Sequence, residues 1–293
     1  MQISLTIQAA IQQKLEEHFP GVQHLKFQAV GGGSINQTCR LVFSDHSVFC
    51  KINSASKFPH LFQKEANGLN LIRKQNVIKT PGVIDCFEQD HSQILLLEWI
   101  DGGERTEVFW KSFGEQLAAL HQVSNGYFGL DEENYMGSVS QTNQPSADWI
   151  PFFMDQRLHP LLLKCAEKKL LTTRHQQQFE NLYRQLSGIF DSESKPALVH
   201  GDLWSGNYMC GPASQPFLID PAVYFGHPSV DLAMTTLFGG FRSSFYEAYQ
   251  YHAAFPYNYE EQWKVCNLYP LLIHLYLFGG SYLPQIEQTL SKF

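Results

Sequence analysis

Two acidic side chains and one amide in the second half of the chain have the types and spacing that phosphoryl transfer requires. Asp202 and Asn207 lie five residues apart in the segment LVHGDLWSGN (198–207), which begins as an apolar strand. Thirteen residues after Asn207, a second apolar stretch, FLID (217–220), ends at Asp220. Protein kinases use an Asp and an Asn at this spacing, followed by a second Asp. We therefore predict that Asp202 accepts the proton of an attacking hydroxyl and that Asn207 and Asp220 supply oxygens to Mg²⁺.

A simpler interpretation exists for each of these residues. Asp202 and Asn207 could cap a turn, and Asp220 could be a helix N-cap. The strand that precedes each motif and the order of the three residues favour the catalytic interpretation.

Phosphoryl transfer also needs a fixed cation near the phosphates. Lys51 lies in the apolar strand VFCKI (48–52), and Glu65 follows fourteen residues later on an amphipathic helix. An ion pair between these side chains would hold the ammonium group toward the α- and β-phosphates. The alternative is that both are ordinary surface charges.

Three consecutive glycines (31–33) lie between two predicted strands. Without Cβ atoms, their N–H groups could approach phosphates closely, although such glycines also form plain hairpins. The sequence contains no G-x-x-x-x-G-K-[ST] motif, which excludes a P-loop NTPase.

Composition excludes several other classes of protein. The formal net charge is −7 over 293 residues and no long Lys/Arg run occurs, which disfavours nucleic acid and anionic membranes as partners. The first residues lack the pattern of a signal peptide, and the apolar stretch Leu271–Phe278 is too short to span a bilayer. The six cysteines form no C-x-x-C pair, so we expect free thiols and a cytoplasmic location. The histidines show no zinc-binding spacing.

Hydrophobic periodicity divides the chain into a β-rich part and a helical part. Strands are predicted around the glycines, and a helix is predicted where Phe62, Ala66, Leu69 and Ile72 recur at helical spacing. After residue 104 most segments have helical periodicity, apart from two short strands and a polar loop at 126–145. We predict an α+β, bilobal protein-kinase-like fold. Residues 1–102 form a small β-rich N-lobe with one key helix, and residues 103–293 form a large, mostly α-helical C-lobe.

Several segments in register resemble the fructosamine (ketosamine) kinase family, which is related to aminoglycoside and choline phosphotransferases. The segments in the second half are HGDLWSGN (200–207), DPA (220–222), DLAMTTLFGGF (231–241), FGEQLAALH (113–121) and DWIPFFMDQRL (148–158). Those in the first half are GGGSIN (31–36), VFCKIN (48–53), EANGLNLI (65–72) and LLLEWI (95–100). The pair Trp204-Ser205 is more similar to fructosamine kinases than to the other relatives.

The resemblance implies an ATP- and Mg²⁺-dependent kinase that phosphorylates a sugar hydroxyl of a ketosamine, which is a sugar joined to an amine. The product is unstable and releases the amine, so the reaction is deglycation. The ketosamine would be a small molecule or protein-bound, and we expect a monomeric enzyme.

The resemblance also assigns residues to roles. Asp202 is the catalytic base, Asn207 and Asp220 bind Mg²⁺, and Trp204 packs against the sugar, with His200 as a second substrate residue. The predicted nucleotide-binding residues are Gly31, Gly32, Gly33, Ser34, Ile35 and Asn36 in the loop, the pair Lys51 and Glu65, and Glu98, Trp99 and Ile100 around the adenine. Asp231 is interpreted as a structural residue that orients the catalytic loop.

The chain departs from the family pattern at two positions. Ser34 stands where many members carry Cys, so redox control through that thiol is not supported. Ser229 stands two residues before Asp231, where the family often has an acidic residue. Two other functions remain open: a kinase of another hydroxylated amine, similar to an aminoglycoside or choline, and a nucleotide-binding pseudokinase. His121 and His274 are expected to pack in the interior.

Overall fold

The computed structural model describes residues 3–31 and 35–293. Contacts divide the chain into two compact units. The first unit comprises the N-terminal residues up to Glu104 together with Met209–Asp220, and the second comprises Arg105–Tyr208 and Pro221–Phe293. After its first segment in the second unit, the chain therefore returns to the first unit for the residues Met209–Asp220. The division at residues 102 and 103 stays a prediction.

The first unit is built on a five-stranded antiparallel sheet in the order β1-β2-β3-β5-β4. Its strands are β1 Lys26–Ala29, β2 Gln37–Phe43, β3 His46–Ser54, β4 Val83–Gln89 and β5 Ser92–Glu98. A tight turn at Ser44 and Asp45 joins β2 to β3, with Ser44 at a positive φ of 47°. The β-rich character predicted for this part of the chain is confirmed.

Two helices accompany this sheet, α1 (Leu5–His18) and α2 (Leu61–Lys74). Ser4 caps α1 by accepting a hydrogen bond from the Ile7 N–H, and α1 contributes its buried face to the apolar cluster of the sheet. The predicted periodicity of α2 is confirmed, because Phe62, Ala66, Leu69 and Ile72 are all buried. This burial fixes the rotation of α2 and hence the direction in which its polar face points.

Helices dominate the second unit. They are α3 Glu107–Leu120, α4 Trp149–Phe153, α5 His159–Glu167, α6 Thr173–Tyr183, α7 Leu186–Ile189, α8 Ser229–Leu237, α9 Ser243–His252, α10 Tyr259–Cys266, α11 Leu268–Phe278 and α12 Leu283–Leu290. A π-helical turn, Met154–Leu158, joins α4 to α5, and single 3₁₀ turns occur at Pro212–Ser214 and Gly280–Tyr282.

Six further short strands occur in the part of the chain that the structure describes. They are β6 Asn134–Met136, β7 Val139–Gln141, β8 Ala197–Val199, β9 Tyr208–Cys210, β10 Pro216–Leu218 and β11 Tyr224–Gly226, paired as β6-β7, β8-β11 and β9-β10. The predicted strands before Asp202 and Asp220 are confirmed as β8 and β10. The prediction of a polar loop at 126–145 was partly wrong, because this segment contains the β6-β7 hairpin.

The apolar stretch 271–278 lies in α11, whose side chains contribute to the main hydrophobic cluster of the second unit. Among the residues that the structure describes, no helix combines the length and the apolar character needed to cross a membrane. All six cysteines are free thiols, as predicted.

Candidate active site

Lys51 forms the centre of a buried ionic cluster in the first unit. It lies on β3, and its side chain is almost fully buried. Its Nζ is 2.7 Å from Oε1 of Glu65 on α2 and 2.5 Å from Oδ1 of Asp220, which follows β10. The structure thus brings together three predicted site residues that are up to 169 positions apart in sequence.

Charge compensation explains why a lysine is stable in this position. Burial lowers the pKa of Lys51, but the carboxylates of Asp220 and then Glu65 outweigh burial, so its pKa lies above the ordinary value. Lys51 is therefore cationic at neutral pH. Burial raises the pKa of Glu65 to about 7, against the opposing effect of the Lys51 ammonium.

Asp220 has a backbone conformation that is uncommon for residues other than glycine. Its φ is +54°, in the left-handed region. Non-glycine residues in this region cluster at functional sites, where the surrounding structure holds them in place. Lys51 bonds Oδ1, and 43% of the side chain is exposed, so Oδ2 is the oxygen that could serve as a metal ligand.

In the second unit, Asp202 and Asn207 are joined by the side chain of Asn207. Its Nδ2 donates to the Asp202 carbonyl oxygen at 2.8 Å and to Asp202 Oδ2 at 3.0 Å. These bonds fix the carboxylate of Asp202 against the loop. Because the amide nitrogen of Asn207 is engaged by these bonds to Asp202, its amide oxygen is the group that is available to a cation. Amide and carboxylate oxygens are the donors that Mg²⁺ prefers, and the residues present fit this ion.

Asp231 on α8 anchors the strand end that precedes Asp202. It is fully buried, and its carboxylate accepts the backbone N–H groups of His200 at 2.7 Å and Gly201 at 2.9 Å. His121, which follows α3, adds a third contact, with Nε2 at 3.1 Å, and its Nδ1 lies 2.8 Å from the hydroxyl of Tyr249. The interpretation of Asp231 as the residue that orients the catalytic loop agrees with these contacts.

The contacts of Asp231 also determine its ionisation. Burial alone would raise the pKa of Asp231, but the hydrogen bond and charge of His121 and the charge and backbone N–H of His200 hold it below the ordinary value. Gly201 needs to be glycine here, because its φ is +83° and a Cβ would lie 2.1 Å from the Ala222 carbonyl oxygen.

His200 is fully buried, and its Nδ1 accepts the backbone N–H of Asp202 at 3.2 Å. This geometry gives His200 a part in positioning the loop, which the sequence did not indicate. Its contact with substrate stays a prediction without support from this arrangement.

Trp204, the other predicted substrate residue, is 37% exposed. Its backbone N–H donates to the Asp202 carbonyl at 3.1 Å. Its ring lies over Gly206, where a Cβ would come within 2.4 Å of the ring. A partly exposed indole next to the predicted base is compatible with stacking on a sugar.

The predicted nucleotide loop is described only at its ends. Gly32, Gly33 and Ser34 lie outside the described residues. On their C-terminal side, Asn53 of β3 donates from Nδ2 to the carbonyl of Ile35 at 3.2 Å and to Oδ1 of Asn36 at 2.7 Å. The end of the loop is therefore tied to β3 two residues from Lys51.

The residues predicted to surround adenine follow β5. The side chain of Glu98 accepts the Gly82 N–H at 2.9 Å, and the guanidinium of Arg40 lies 4.3 Å from the ring centre of Trp99. Ile100 is buried. Within the described residues, no hydrogen bond engages the backbone of Trp99 or Ile100, so these groups can serve as donors and acceptors for a base.

The fold of the chain is similar to that of a solved phosphotransferase. The crystal structure of a thermostable mutant of aminoglycoside phosphotransferase APH(4)-Ia, in ternary complex with AMP-PNP and hygromycin B, has a TM-score of 0.62 to this chain. The alignment covers 96% of this chain and 98% of that chain at 13% identity, a level that shows the fold alone. The predicted α+β, protein-kinase-like fold class is confirmed.

Sequence similarity identifies the family to which the chain belongs. A family model described as "Fructosamine kinase" matches residues 6–293, and the chain belongs to this family. A Synechocystis protein named "Probable ketoamine kinase slr1563" is 36% identical over 266 residues, covering 90% of this chain and 89% of that protein.

A second bacterial relative and a crystal structure agree with this assignment. The "Probable ketoamine kinase" of Lactiplantibacillus plantarum is 36% identical over 275 residues, covering 91% of this chain and 93% of that protein. A crystal structure of a Haemophilus somnus 129PT protein, named "Putative fructosamine-3-kinase", has a TM-score of 0.89 to this chain. The two chains are 27% identical, and the alignment covers 99% of each. The predicted resemblance and the predicted enzyme class, a phosphotransferase with an alcohol group as acceptor, are confirmed.

Proposed function

We propose that this protein transfers the γ-phosphoryl group of ATP to a sugar hydroxyl of a ketosamine. The observation that carries the proposal is the buried Lys51 ammonium bonded to both Glu65 and Asp220. Protein kinases use a strand lysine, a helix glutamate and a metal-binding aspartate to hold the phosphates of ATP. A ketosamine as the acceptor follows from the family and from the names of its ketoamine kinase members.

Each group on the chain has a defined part in the reaction. Lys51, held by Glu65, binds the α- and β-phosphate oxygens as a cation. The carboxylate of Asp202, fixed by Asn207, accepts the proton of the sugar hydroxyl as its oxygen bonds to the γ-phosphorus. The bond from this phosphorus to the β-γ bridging oxygen breaks, and ADP leaves with the electron pair.

Asn207 and Asp220 would hold Mg²⁺ through their carbonyl-type and carboxylate oxygens. Bound Mg²⁺ would offset the negative charge on the phosphate oxygens. Trp204 would pack on the sugar and orient the acceptor hydroxyl. Release of the amine from the phosphorylated product would complete deglycation.

ADP release across a panel of acceptors tests the proposal. With Mg-ATP, we expect turnover on fructoselysine or ribuloselysine and little on kanamycin or choline. Turnover on an aminoglycoside or choline without any on ketosamines would contradict the assigned acceptor. No turnover on any acceptor, together with retained ATP binding, would favour a nucleotide-binding pseudokinase.

Two variants test the role of the base. Asp202→Asn keeps the size of the side chain and removes the proton acceptor, so we expect turnover to fall by about 10² to 10⁴-fold while ATP binding persists. Asp131→Asn, an exposed position on the same unit, is the matched control and should keep wild-type turnover. Equal activity of the two variants would remove Asp202 from the mechanism.

A further inference from the structure

The side-chain amide of Gln93 joins three backbone groups that lead from the sheet of the first unit into α2. Gln93 lies on β5 and is only 2% exposed. Its Oε1 accepts the N–H of Phe62 at 2.9 Å, and its Nε2 donates to the carbonyl oxygens of Ser54 at 3.1 Å and Phe58 at 2.6 Å. Ser54 is the last residue of β3, and Phe62 lies in the first turn of α2. A single side chain therefore ties together the end of β3, the connecting segment and the start of α2.

The orientation of this amide follows from its partners. A backbone N–H can only donate and a carbonyl oxygen can only accept, so the oxygen of the Gln93 side chain faces Phe62 and the nitrogen faces the two carbonyls. Both N–H groups and the oxygen are thus used. A buried amide with all of its groups engaged stays in one conformation and keeps its partners in place.

Gln93 replaces the usual cap of a helix N-terminus. The first N–H groups of an α-helix have no partner within the helix, and the side chain of the N-cap residue normally accepts one of them. The N-cap position of α2 is occupied by His60, which has a left-handed φ of 58°. Within the described residues, the side chain of His60 makes no capping hydrogen bond. The N–H of Phe62 is instead capped from a strand 31 residues away in sequence, so the cap also fixes α2 relative to the sheet.

Gln93 and Lys51 lie on the same face of the sheet. In the register of β3 and β5, Lys51 is directly opposite Leu95, and Asn53 is directly opposite Gln93. Directly paired residues share a face, and so do residues two apart on one strand, as Gln93 and Leu95 are. This face therefore carries both the anchor of α2 and the ammonium that α2 must reach. Glu65 follows three residues after the capped N–H, which is less than one turn of helix.

Hydrogen bonds fix the position of α2 along its axis, which apolar packing does not. The buried side chains of α2 determine which face meets the sheet, but the burial of apolar area is non-directional. The contact of Glu65 with Lys51, at 2.7 Å between Oε1 and Nζ, tolerates only a small displacement of the helix. In the C-terminal half of α2, the hydroxyl of Thr80 donates to the carbonyl of Leu69 at 3.2 Å. The contacts of Gln93 and Thr80 thus hold α2 on both sides of Glu65.

We propose that Gln93 is a positioning residue for ATP binding, because it sets α2 where Glu65 holds Lys51 toward the phosphates. This inference rests on the proposed function, in which Lys51 binds the α- and β-phosphate oxygens. Without the amide of Gln93, α2 stays packed on the sheet through its apolar face, but its first turn is free to shift and the ammonium loses its fixed direction. The affinity for Mg-ATP then falls. The acceptor is unaffected, because Asp202 and Trp204 belong to the second unit.

Calorimetric titration with Mg-ATP in the absence of acceptor tests the proposal. Gln93→Met keeps the length of the side chain and removes its three hydrogen bonds, so Kd for Mg-ATP should rise by about ten-fold. At saturating Mg-ATP, KM for the ketosamine should change by less than about two-fold. Gln63→Met makes the same substitution at an exposed position in the first turn of α2 and is the matched control, which should bind Mg-ATP as the wild type does. Equal Kd values for the two variants would overturn the inference.

A double-mutant cycle tests whether Gln93 acts through Glu65. Glu65→Ala alone should raise Kd for Mg-ATP by about ten-fold, because Lys51 loses a carboxylate that orients it. Adding Gln93→Met to Glu65→Ala should then raise Kd further by less than about two-fold, since the contact through which Gln93 acts is already absent. A second rise of about ten-fold would show that the two side chains contribute independently, and the positioning role would be wrong.

A third comparison separates positioning from a general loss of stability. Ile11→Ala creates a cavity at a fully buried position on α1, in the apolar cluster that contains Ile94 and lies on the opposite face of the sheet from Gln93. It should lower the melting temperature while Kd for Mg-ATP stays within about two-fold of the wild type. If Ile11→Ala raises Kd as much as Gln93→Met does, loss of stability explains both results and the inference is overturned.

Gln93→Glu decides the question if Gln93→Met does not fold. It keeps an acceptor for the N–H of Phe62 but lacks the amide N–H₂ that serves the carbonyls of Ser54 and Phe58. Kd for Mg-ATP should therefore rise by about two- to five-fold. A wild-type Kd in a folded Gln93→Glu variant would contradict the proposal.

The outcomes separate this inference from the proposed function. If the wild type binds Mg-ATP and phosphorylates ketosamines but Gln93→Met matches Gln63→Met, the inference alone is wrong. If the wild type binds Mg-ATP but phosphorylates no ketosamine, the assigned acceptor is wrong, and the Kd values of the variants still decide the inference. If the wild type does not bind Mg-ATP, the proposed function fails and the inference fails with it.

Discussion

At the scale of single residues, buried charges hold the predicted active site together. Lys51 is stable in the interior because Glu65 and Asp220 compensate its charge. Asp231 is stable because two backbone N–H groups and His121 surround its carboxylate. Each group would be costly to bury alone, so each requires its partners to be in place. The same contacts orient the atoms that phosphoryl transfer would use.

Replacing the buried carboxylate of Asp231 should impair both stability and turnover. In Asp231→Asn one of the two backbone N–H groups faces an amide N–H₂ instead of an oxygen, which costs about 1–3 kcal/mol in free energy of unfolding. We also expect kcat to fall more than the ATP affinity, because the segment before Asp202 loses its anchor. Urea unfolding and steady-state kinetics measure the two effects, with Asp131→Asn as the exposed control. A variant with wild-type kcat would show that the anchor is dispensable.

The pH dependence of stability provides an independent check on the same residue. The pKa of Asp231 is lower in the folded protein than in the unfolded chain, so its ionised form stabilises the fold at neutral pH. This contribution is complete above the unfolded pKa of about 3.9 and is lost as pH falls below it toward the folded value. The stability of the wild type should therefore fall more steeply below about pH 4 than that of Asp231→Asn, which urea unfolding at a series of pH values measures. Parallel curves for the two proteins would contradict the lowered pKa.

At the scale of elements, close helix packing in the second unit determines where His121 lies. Gly114 on α3 faces α9 so closely that a Cβ would lie 2.2 Å from the Phe245 carbonyl oxygen and 2.9 Å from the Tyr249 nitrogen. Helix α3 ends at the residue before His121, and α9 carries Tyr249, whose hydroxyl lies 2.8 Å from His121. The packing of these two helices thus supports the Asp231 network.

A methyl group at Gly114 should disturb this packing. Gly114→Ala should lower the free energy of unfolding by about 1–3 kcal/mol, because α3 and α9 must separate. Gly188→Ala is the control, since no atom lies within 4 Å of the position that its Cβ would occupy, and helix α7 should accept alanine with no loss of stability. Thermal melting compares the two. Equal melting temperatures would mean that the helices adjust without cost.

At the scale of the whole molecule, the residues with predicted roles in catalysis are divided between the two units. The first unit carries Lys51, Glu65 and Asp220, and the second carries Asp202 and Asn207. The chain enters the first unit at Met209, two residues after Asn207, and leaves it after Asp220. The sequence motif that contains the predicted base and metal ligands is therefore divided between the units.

Ligand-induced stabilisation should distinguish the contributions of the two units. A ligand that binds only the folded state at a concentration of about 100 Kd adds about 2.7 kcal/mol of stability. We expect Mg-ATP to raise the melting temperature of the wild type, and Lys51→Met to lose most of this shift. Asp202→Asn should keep the shift although it lacks turnover. A shift that persists in Lys51→Met would contradict the role of this lysine in holding phosphates.

The sequence by itself determined the features that depend on neighbouring residues. The spacing of Asp202 and Asn207, the strands before Asp202 and Asp220, and the amphipathic helix with Glu65 are local, because backbone geometry over a few residues fixes them. The hairpin in residues 126–145 was missed because its strands, of three residues each, are too short to show alternation.

Only the tertiary structure decided which distant groups meet. The contact of Lys51 with Asp220 spans 169 residues, and that of His121 with Asp231 spans 110. The left-handed backbone of Asp220 likewise has no sequence signature. Such contacts depend on how entire helices and strands pack, and residue spacing carries no information about packing over that distance.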